Sequence, residues 1–361
     1  MYRDYYLRYR HPWWLGLCEY SELLNSGKAI YKNLTPSIEI LAGDAKKILE
    51  LQKFMPEKII NNYRGNLLVD ERANDFLFEL DIAWHYYING NRIIWKESDQ
   101  PQHEFTVVNN KLSFNVECKR ISVDSFRKIK RDDFYRLVEI LLPGIKSRNM
   151  AGTIELILHN KLEKSESFNN NIISFVFDTI DQGCTLGEFN NDVCRIKIEL
   201  IPSSNKEVNL EQEYMHLWQN KRPDEHGVIF AGSYNSKPVD PVYLLCRCDK
   251  PDDVLKGISD KLKSASKNQL DFTSPGIISV FVEDIDDFSE LAIESGLQIM
   301  TNMFLDSEKR NHIAAVIYSS NSRYRPDANI KTFFSQGLIF KNQNCKYEEA
   351  KKFNYLSKLS V

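Results

Sequence analysis

The clearest period-two alternation in the chain runs from His103 to Ser122, HEFTVVNNKLSFNVECKRIS. Phe105, Val107, Leu112, Phe114, Val116 and Cys118 fall on one face of such a segment, and Glu104, Thr106, Ser113, Asn115, Glu117 and Lys119 on the other. Asn109-Asn110 interrupts it with residues that tolerate positive φ, so the pattern predicts a β-hairpin with a two-residue turn. The predicted register sets Val108 against Lys111, Phe105 against Phe114, Glu104 against Asn115 and Gln102 against Glu117. The apolar face then packs inward and the polar face is left for chemistry. Glu104 and Glu117 become diagonal neighbours about 7–8 Å apart along the backbone, with Lys119 on the same face.

Upstream, residues 70–88 carry a helical pattern. Asp70 suits the N-cap, Glu71 the first turn, and Gly90 the stop. Phe76, Leu80, Ala83, Trp84 and Tyr87 form the apolar stripe, and Glu79 lies beside it. A partly buried carboxylate needs a partner; the plain structural reading is that Glu79 pairs with Arg72 or snorkels at the edge of the stripe.

Elsewhere the pattern predicts helices at 20–24, 38–54 and 56–63, read as an accessory region over 1–66. A helix over 132–142 is expected to end near Pro143-Gly144, followed by strands at 153–158, 172–177 and 194–201, with polar loops at 163–171 and 203–207. Strand 242–248, helix 251–270 with Val254, Ile258, Leu262 and Ala265 on one face, strand 277–282, helix 288–303 and strand 314–319 complete the reading. The expected class is α/β, an α+β mixed sheet, with residues 67–125 and 246–325 forming the core, 126–245 a β-rich insertion and 326–361 a C-terminal extension.

Composition narrows the function classes. The 361 residues are 42% hydrophobic and 12% aromatic, as in ordinary globular proteins. No apolar run approaches the length of a membrane span, and Met1–Tyr20 mixes Arg3, Arg8 and Arg10 with aromatics, so a cytoplasmic chain is expected. Seven cysteines without paired CxxC spacing are expected to be buried thiols. A net charge of −3 argues against nonspecific coating of nucleic acid. Locally, six of the thirteen residues from Lys119 to Arg131 are basic, so Arg120, Arg127, Lys128, Lys130 and Arg131 are candidates for holding a phosphate backbone.

The order of Glu79 on a helix, a strand at 92–97, Glu104-Phe-Thr-Val and then Val116-Glu117-Cys118-Lys119 resembles the restriction-endonuclease-like PD-(D/E)XK nuclease superfamily over residues 70–120. His103-Glu104 stands where that family usually has Pro-Asp. The resemblance implies that Glu104 and Glu117 hold Mg²⁺, with Mn²⁺ as a substitute and the Cys118 carbonyl as a further ligand. Lys119 then assists the attacking water, and Glu79 supports the site. Two segments compete to complete such a core, 132–158 and 251–282; the second is favoured because KLKSASKNQL resembles the helix after ExK in many such nucleases, which brings in Lys267 and Gln269. The implied activity is Mg²⁺-dependent hydrolysis of phosphodiester bonds, of DNA in restriction or phage defence, by a homodimer where both strands are cut. The alternative is a nuclease-fold protein that binds nucleic acid, or acts as a scaffold, without hydrolysis.

Overall fold

The computed structural model describes residues 11–27, 29, 32–96, 103–109, 112–122, 124–204, 206–209, 212–213, 216–217, 225–234, 237–283, 296–321, 335–353 and 355. The fold is mixed α/β. The chain divides into two compact units, Asp124–Val254 and, flanking it, Leu7–Val123 with Leu255–Val361.

Among its described residues the flanking unit opens with α1 (Trp14–Asn25), α2 (Pro36–Leu51), α3 (Glu57–Leu67) and α4 (Asp70–Ile88). Thr35 caps α2 by accepting from the Ile38 amide, and Pro36 occupies the first turn, where its missing N–H costs nothing. Helix α4 spans the expected residues, but Val69 is its N-cap and Asp70 its first residue. Gly90, at φ 81°, supplies the left-handed turn that ends it. Then come β1 (Arg92–Trp95), β2 (Phe105–Asn109) and β3 (Leu112–Ile121). The predicted strand end at Glu97, the hairpin residues Asn110 and Lys111, and Gln102 lie outside the described residues.

The central unit contains α5 (Arg131–Ser147), β4 (Met150–Leu158), α6 (Glu166–Asp181), β5 (Leu186–Asn190), β6 (Cys194–Pro202), β7 (His226–Tyr234) and β8 (Lys237–Cys248). Its sheet runs β5-β6-β4-β8-β7, with β4 and β8 parallel and the other pairs antiparallel. Even-numbered Ile154, Leu156, Ile196, Ile198, Leu244 and Cys246 join α5 and α6 in one core. The other face is charged, with Glu155 bonded to Arg247 at 3.0 Å and Arg195 paired with Glu188 at 3.2 Å.

Two expectations are corrected in this unit. Residues 172–177 are helical, inside α6, and 166–171 belong to the same helix; the polar loop expected at 163–171 is therefore only its N-terminal approach. A six-residue apolar run reads equally as strand or helix, but Ser165 caps the segment by accepting from Phe168 N. Phe168, Ile172, Val176 and Ile180 then follow at helical spacing and pack on the core. Helix α5 does not stop at Pro143-Gly144. Leu137, Val138 and Leu141 before the proline and Ile145 after it enter the same core, which outweighs one lost helix bond. Gly144 serves packing: a Cβ there would stand 2.1 Å from Phe177 Cζ.

After it, α7 (Val254–Asn268), β9 (Gly276–Val282), α8 (Leu297–Leu305), β10 (Ile313–Asn321), β11 (Ser335–Lys341) and α9 (Glu348–Lys352) complete the flanking unit. Residues 284–295 of the helix expected over 288–303 lie outside the described residues. The six-stranded sheet runs β1-β2-β3-β9-β10-β11; β3, β9 and β10 are parallel and the remaining pairs antiparallel. Every residue of β9, GIISVFV, is buried, the continuous apolar run of a strand covered on both faces. Helix α4 packs against Phe105, Val107, Phe114, Val116 and Cys118, and a 2.7 Å bond between Thr301 and Tyr318 ties α8 to β10.

Among the described residues no helix is long and apolar enough to cross a membrane. All seven cysteines are reduced; five are buried, whereas Cys18 and Cys184 are half-buried.

Gly144→Ala is expected to overpack the contact between α5 and α6 and cost about 1–3 kcal/mol. A lowered melting temperature, recovered in part when Phe177→Leu is added, is the check; an unchanged melt refutes the packing account.

Candidate functional site

The hairpin pairs two residues away from the predicted register. Asn109 faces Leu112, Val108 faces Ser113, Thr106 faces Asn115 and Phe105 faces Val116. Asn109 stays in the strand because its side chain donates to Asn91 Oδ1 at 2.9 Å, which moves the turn along the chain. A shift of two preserves the face of every side chain, since the alternation has period two. Carried one residue further, this register would set Glu104 opposite Glu117 and not diagonal to it. Regular pairing ends at Phe105, and the Glu104 amide also donates to the Val116 carbonyl, at 3.1 Å. Two residues of β2 thus meet one of β3, the arrangement of a β-bulge, which re-aims a side chain and terminates pairing.

The polar face of the hairpin is not open, as the pattern suggested. Thr106, Asn115 and Glu117 are buried, because β3 is an interior strand between β2 and β9. Thr106 Oγ1 donates to Asn115 Oδ1 at 2.9 Å, and Asn115 Nδ2 donates to Asp271 Oδ2 at 3.4 Å. The Thr106 proton is thereby committed, so His103 Nε2, 3.0 Å from Thr106 Oγ1, carries the hydrogen between them. Burial, reinforced by Lys96, pushes the His103 imidazole down to about 4, so it is neutral. His103 is a structural member of this network.

Beyond the bulge stand the acids. Glu117 has no exposed side-chain surface; Oε1 takes a salt bridge from Lys119 Nζ, and buried Oε2 has no hydrogen-bond partner among the described residues. Burial and the charge of Glu104 push the Glu117 carboxyl up to about 8, against the pull of Lys119. Glu104 is raised to about 6, chiefly by burial, with Lys119 opposing and Asp75 adding to the rise. Glu79 is buried on α4 and held well above the carboxylate range by burial and the Glu104 charge, with smaller pushes from Glu117 and Asp75. Tyr63 donates to Glu79 Oε2 at 2.5 Å and opposes that rise. Arg72 instead donates to Asn66. Three acids and Lys119, separated along the sequence, therefore act on one another's charge.

The other candidates differ in placement. Arg120 is held between Asp75 Oδ1 at 2.9 Å and Glu283 Oε1 at 2.8 Å, joining α4, β3 and the end of β9, and is 13% exposed. Lys267 is exposed, and Gln269 is half-buried with its Oε1 lacking a hydrogen-bond partner. Arg127, Lys128, Lys130 and Arg131 belong to the central unit. There Arg127 pairs with Asp252 at 2.9 Å, Lys128 with Asp253 at 2.5 Å, and the Arg131 amide donates to Asp124 at 2.8 Å, while Lys130 is exposed. Tyr63 and Asp75 were absent from the sequence reading. A tyrosine from a separate helix gives no local signal, whereas Asp75 stands one turn before Glu79, a spacing that places both on one helix face.

The donor set suits a divalent cation bound through oxygen. Glu117 Oε2 is an orphaned buried acceptor, and two neighbouring carboxyls are driven toward their neutral forms, a tension that a cation relieves. Carbonyls alternate between the two edges of a strand: Val116 O points toward β2, and Ile121 O, which accepts from Glu283 N, points toward β9. The Cys118 carbonyl thus shares the edge of Val116, just past the last residue registered with β2. Among the described residues no three His, Cys, Asp or Glu side chains are gathered at ligating distance, so a cation here depends on backbone or solvent oxygen besides Glu104 and Glu117.

No family model, curated protein or solved structure matches the chain.

Two predictions follow from the charges. The folded, cation-free chain binds the Glu104 and Glu117 protons more tightly than the unfolded chain. Their stabilising contribution is complete below about pH 4.5 and is lost progressively as pH rises through about 6 and 8. The melting temperature in chelator should fall across that window, and Glu117→Gln should flatten the fall; an identical slope in the variant refutes the assignment. Arg120→Met should cost about 3 kcal/mol, at the lower end for breaking a buried pair because Asp75 is half exposed. Denaturant melts measure it, and a wild-type midpoint would show the bridge to be without consequence.

Proposed function

We propose that this chain is a metal-dependent nuclease that hydrolyses phosphodiester bonds, with a restriction-endonuclease-like core formed by β1–β3, α4, α7 and β9. The observation carrying the reading is the buried Glu117 carboxylate, bonded to Lys119 and coupled to Glu104 at the bulge that ends β2. Three elements support the comparison with that core: the antiparallel β1-β2-β3 meander, the parallel β3-β9 pair, and α4 carrying Glu79.

Glu104, Glu117 and the Cys118 carbonyl would hold Mg²⁺ or Mn²⁺. Such an ion supplies charge neutralisation at a phosphate and lowers the pKa of bound water. The residues themselves have distinct tasks. Lys119 balances the charge of Glu117 and places an ammonium beside the phosphate, where it orients the attacking water and stabilises developing negative charge. With a cation beside Glu104 to offset the burial cost, Glu79 would add negative potential from the α4 side. Exposed Lys267 is a position for phosphate contact. The substrate in this reading is DNA and the setting cytoplasmic defence, with a homodimer required where both strands are cut.

A second reading has its own observation. Arg120, Arg127 and Lys128 are already matched by acids, which leaves the strip less charge to offer a substrate backbone, as in a nuclease-fold scaffold or weak binder that does not hydrolyse.

Supercoiled plasmid incubated with Mg²⁺ separates the two. Glu117→Ala should abolish cleavage, Lys119→Met should slow it by about 10²–10⁴-fold, and chelator should stop it. Cleavage that persists in Glu117→Ala rules out this site. Plasmid retarded in gels but never cut, together with calorimetry showing no Mn²⁺ binding that depends on Glu104 and Glu117, selects the binder.

A further inference from the structure

The hydroxyl of Tyr63 on α3 bonds to Glu79, and its surroundings allow it little freedom. The ring packs edge-on to Phe76 of α4, with centroids 4.8 Å apart at 88°, and edge-on to Trp95 of β1 at 5.5 Å and 77°. Tyr63 is 7% exposed and Glu79 9%, so no bulk water competes for the 2.5 Å bond between them. A buried acid without such a donor is free to turn its carboxyl or to take a proton. With it, one oxygen of Glu79 is fixed and the bond draws the carboxyl toward its charged form, while burial, and after it the charge of Glu104, push the other way and prevail in the cation-free chain.

We propose that Tyr63 is a positioning residue: α3 reaches across α4 to hold the Glu79 carboxylate toward Glu104, so that the helices before α4 are a working part of the site. The proposal rests on the reading of Glu104 and Glu117 as a cation site. The geometry parallels metal centres in which a group bonded to a supporting carboxylate orients it, and whose loss weakens metal binding by about 10–100-fold. Two aromatic walls hold the phenol at the distance that Glu79 requires, and the ring packing survives removal of the oxygen alone. Helix α3 was expected to be accessory; on this account its register against α4 is set by the hydroxyl as well as by apolar packing.

Calorimetry with Mn²⁺ alone, on the full chain, tests it. Tyr63→Phe should weaken Mn²⁺ binding about tenfold and move the pH midpoint of binding upward, since the phenol favours the charged form of Glu79. Glu79→Asp draws the carboxylate back from Tyr63 while keeping its charge, and should reproduce both effects. Glu79→Gln should weaken binding, and the double variant Tyr63→Phe with Glu79→Gln should bind no more weakly than Glu79→Gln alone, because the two groups act through one bond. Wild-type affinity and pH midpoint in Tyr63→Phe and Glu79→Asp overturn the proposal, as does full additivity in the double variant. Glu117→Ala separates this from failure of the site: its loss of binding upholds the cation site, and unaltered binding there overturns the site and this proposal together.

Discussion

Glu117 is a carboxylate with no exposed side-chain surface on an interior strand, and the surrounding architecture is an answer to that placement. Burying such a group is costly unless its charge is met, and the chain meets half of it: Lys119 takes one oxygen and the other has no partner among the described residues. The β2–β3 bulge stops the hairpin at the level of Val116, so Glu104 departs from the ladder beside Glu117. A residue kept in such an environment has its affinity for protons or cations set by its surroundings, which is why strongly shifted acids gather at working sites.

Support for the acids comes from two layers. Behind the sheet, α4 presents Glu79 and Asp75, and Arg120 ties Asp75 to Glu283 at the end of β9. Behind α4, α2 and α3 hold the helix in turn. Lys47 of α2 bridges Asp44 and Asp81, Trp84 donates to Glu50 at 3.0 Å, and Tyr63 reaches Glu79. The polar chain of His103, Thr106, Asn115 and Asp271 pins the other side of the hairpin to the connection between α7 and β9. Of these groups, Asp75 and Tyr63 act directly on the charge of Glu79, Asp75 against its ionised form and Tyr63 for it.

Much of this was legible in the residues, and the failures have physical causes. The faces of the hairpin followed from period two and survived a register error of two residues, because only odd slips exchange faces. The error arose because Asn109-Asn110 suits a turn, while a bond from Asn109 to Asn91, distant in the chain, keeps Asn109 in the strand. The run at 172–177 was ambiguous by length, and its cap at Ser165 decided for helix. Pro143 marks a helix end only where nothing beyond it needs burying; here Ile145 does. The basic strip from Lys119 to Arg131 looked uniform in sequence, yet Lys119 pairs with Glu117 two residues before it on the same strand, and Arg120, Arg127 and Lys128 each meet an acid brought from elsewhere in the chain.

Local spacing alone determined which residues share a face, that α4 spans 70–88 and carries Glu79 beside its stripe, and that 277–282 is a strand. Those properties follow from backbone periods, which neighbours in sequence suffice to express. Tertiary structure decided the rest: that β9 lies parallel to β3, that the polar face of the hairpin is buried, that Arg120 is bridged, and that a tyrosine sixteen positions upstream bonds to Glu79. Burial and charge pairing depend on what arrives from distant parts of the chain, and the field at a carboxylate is the sum of those arrivals.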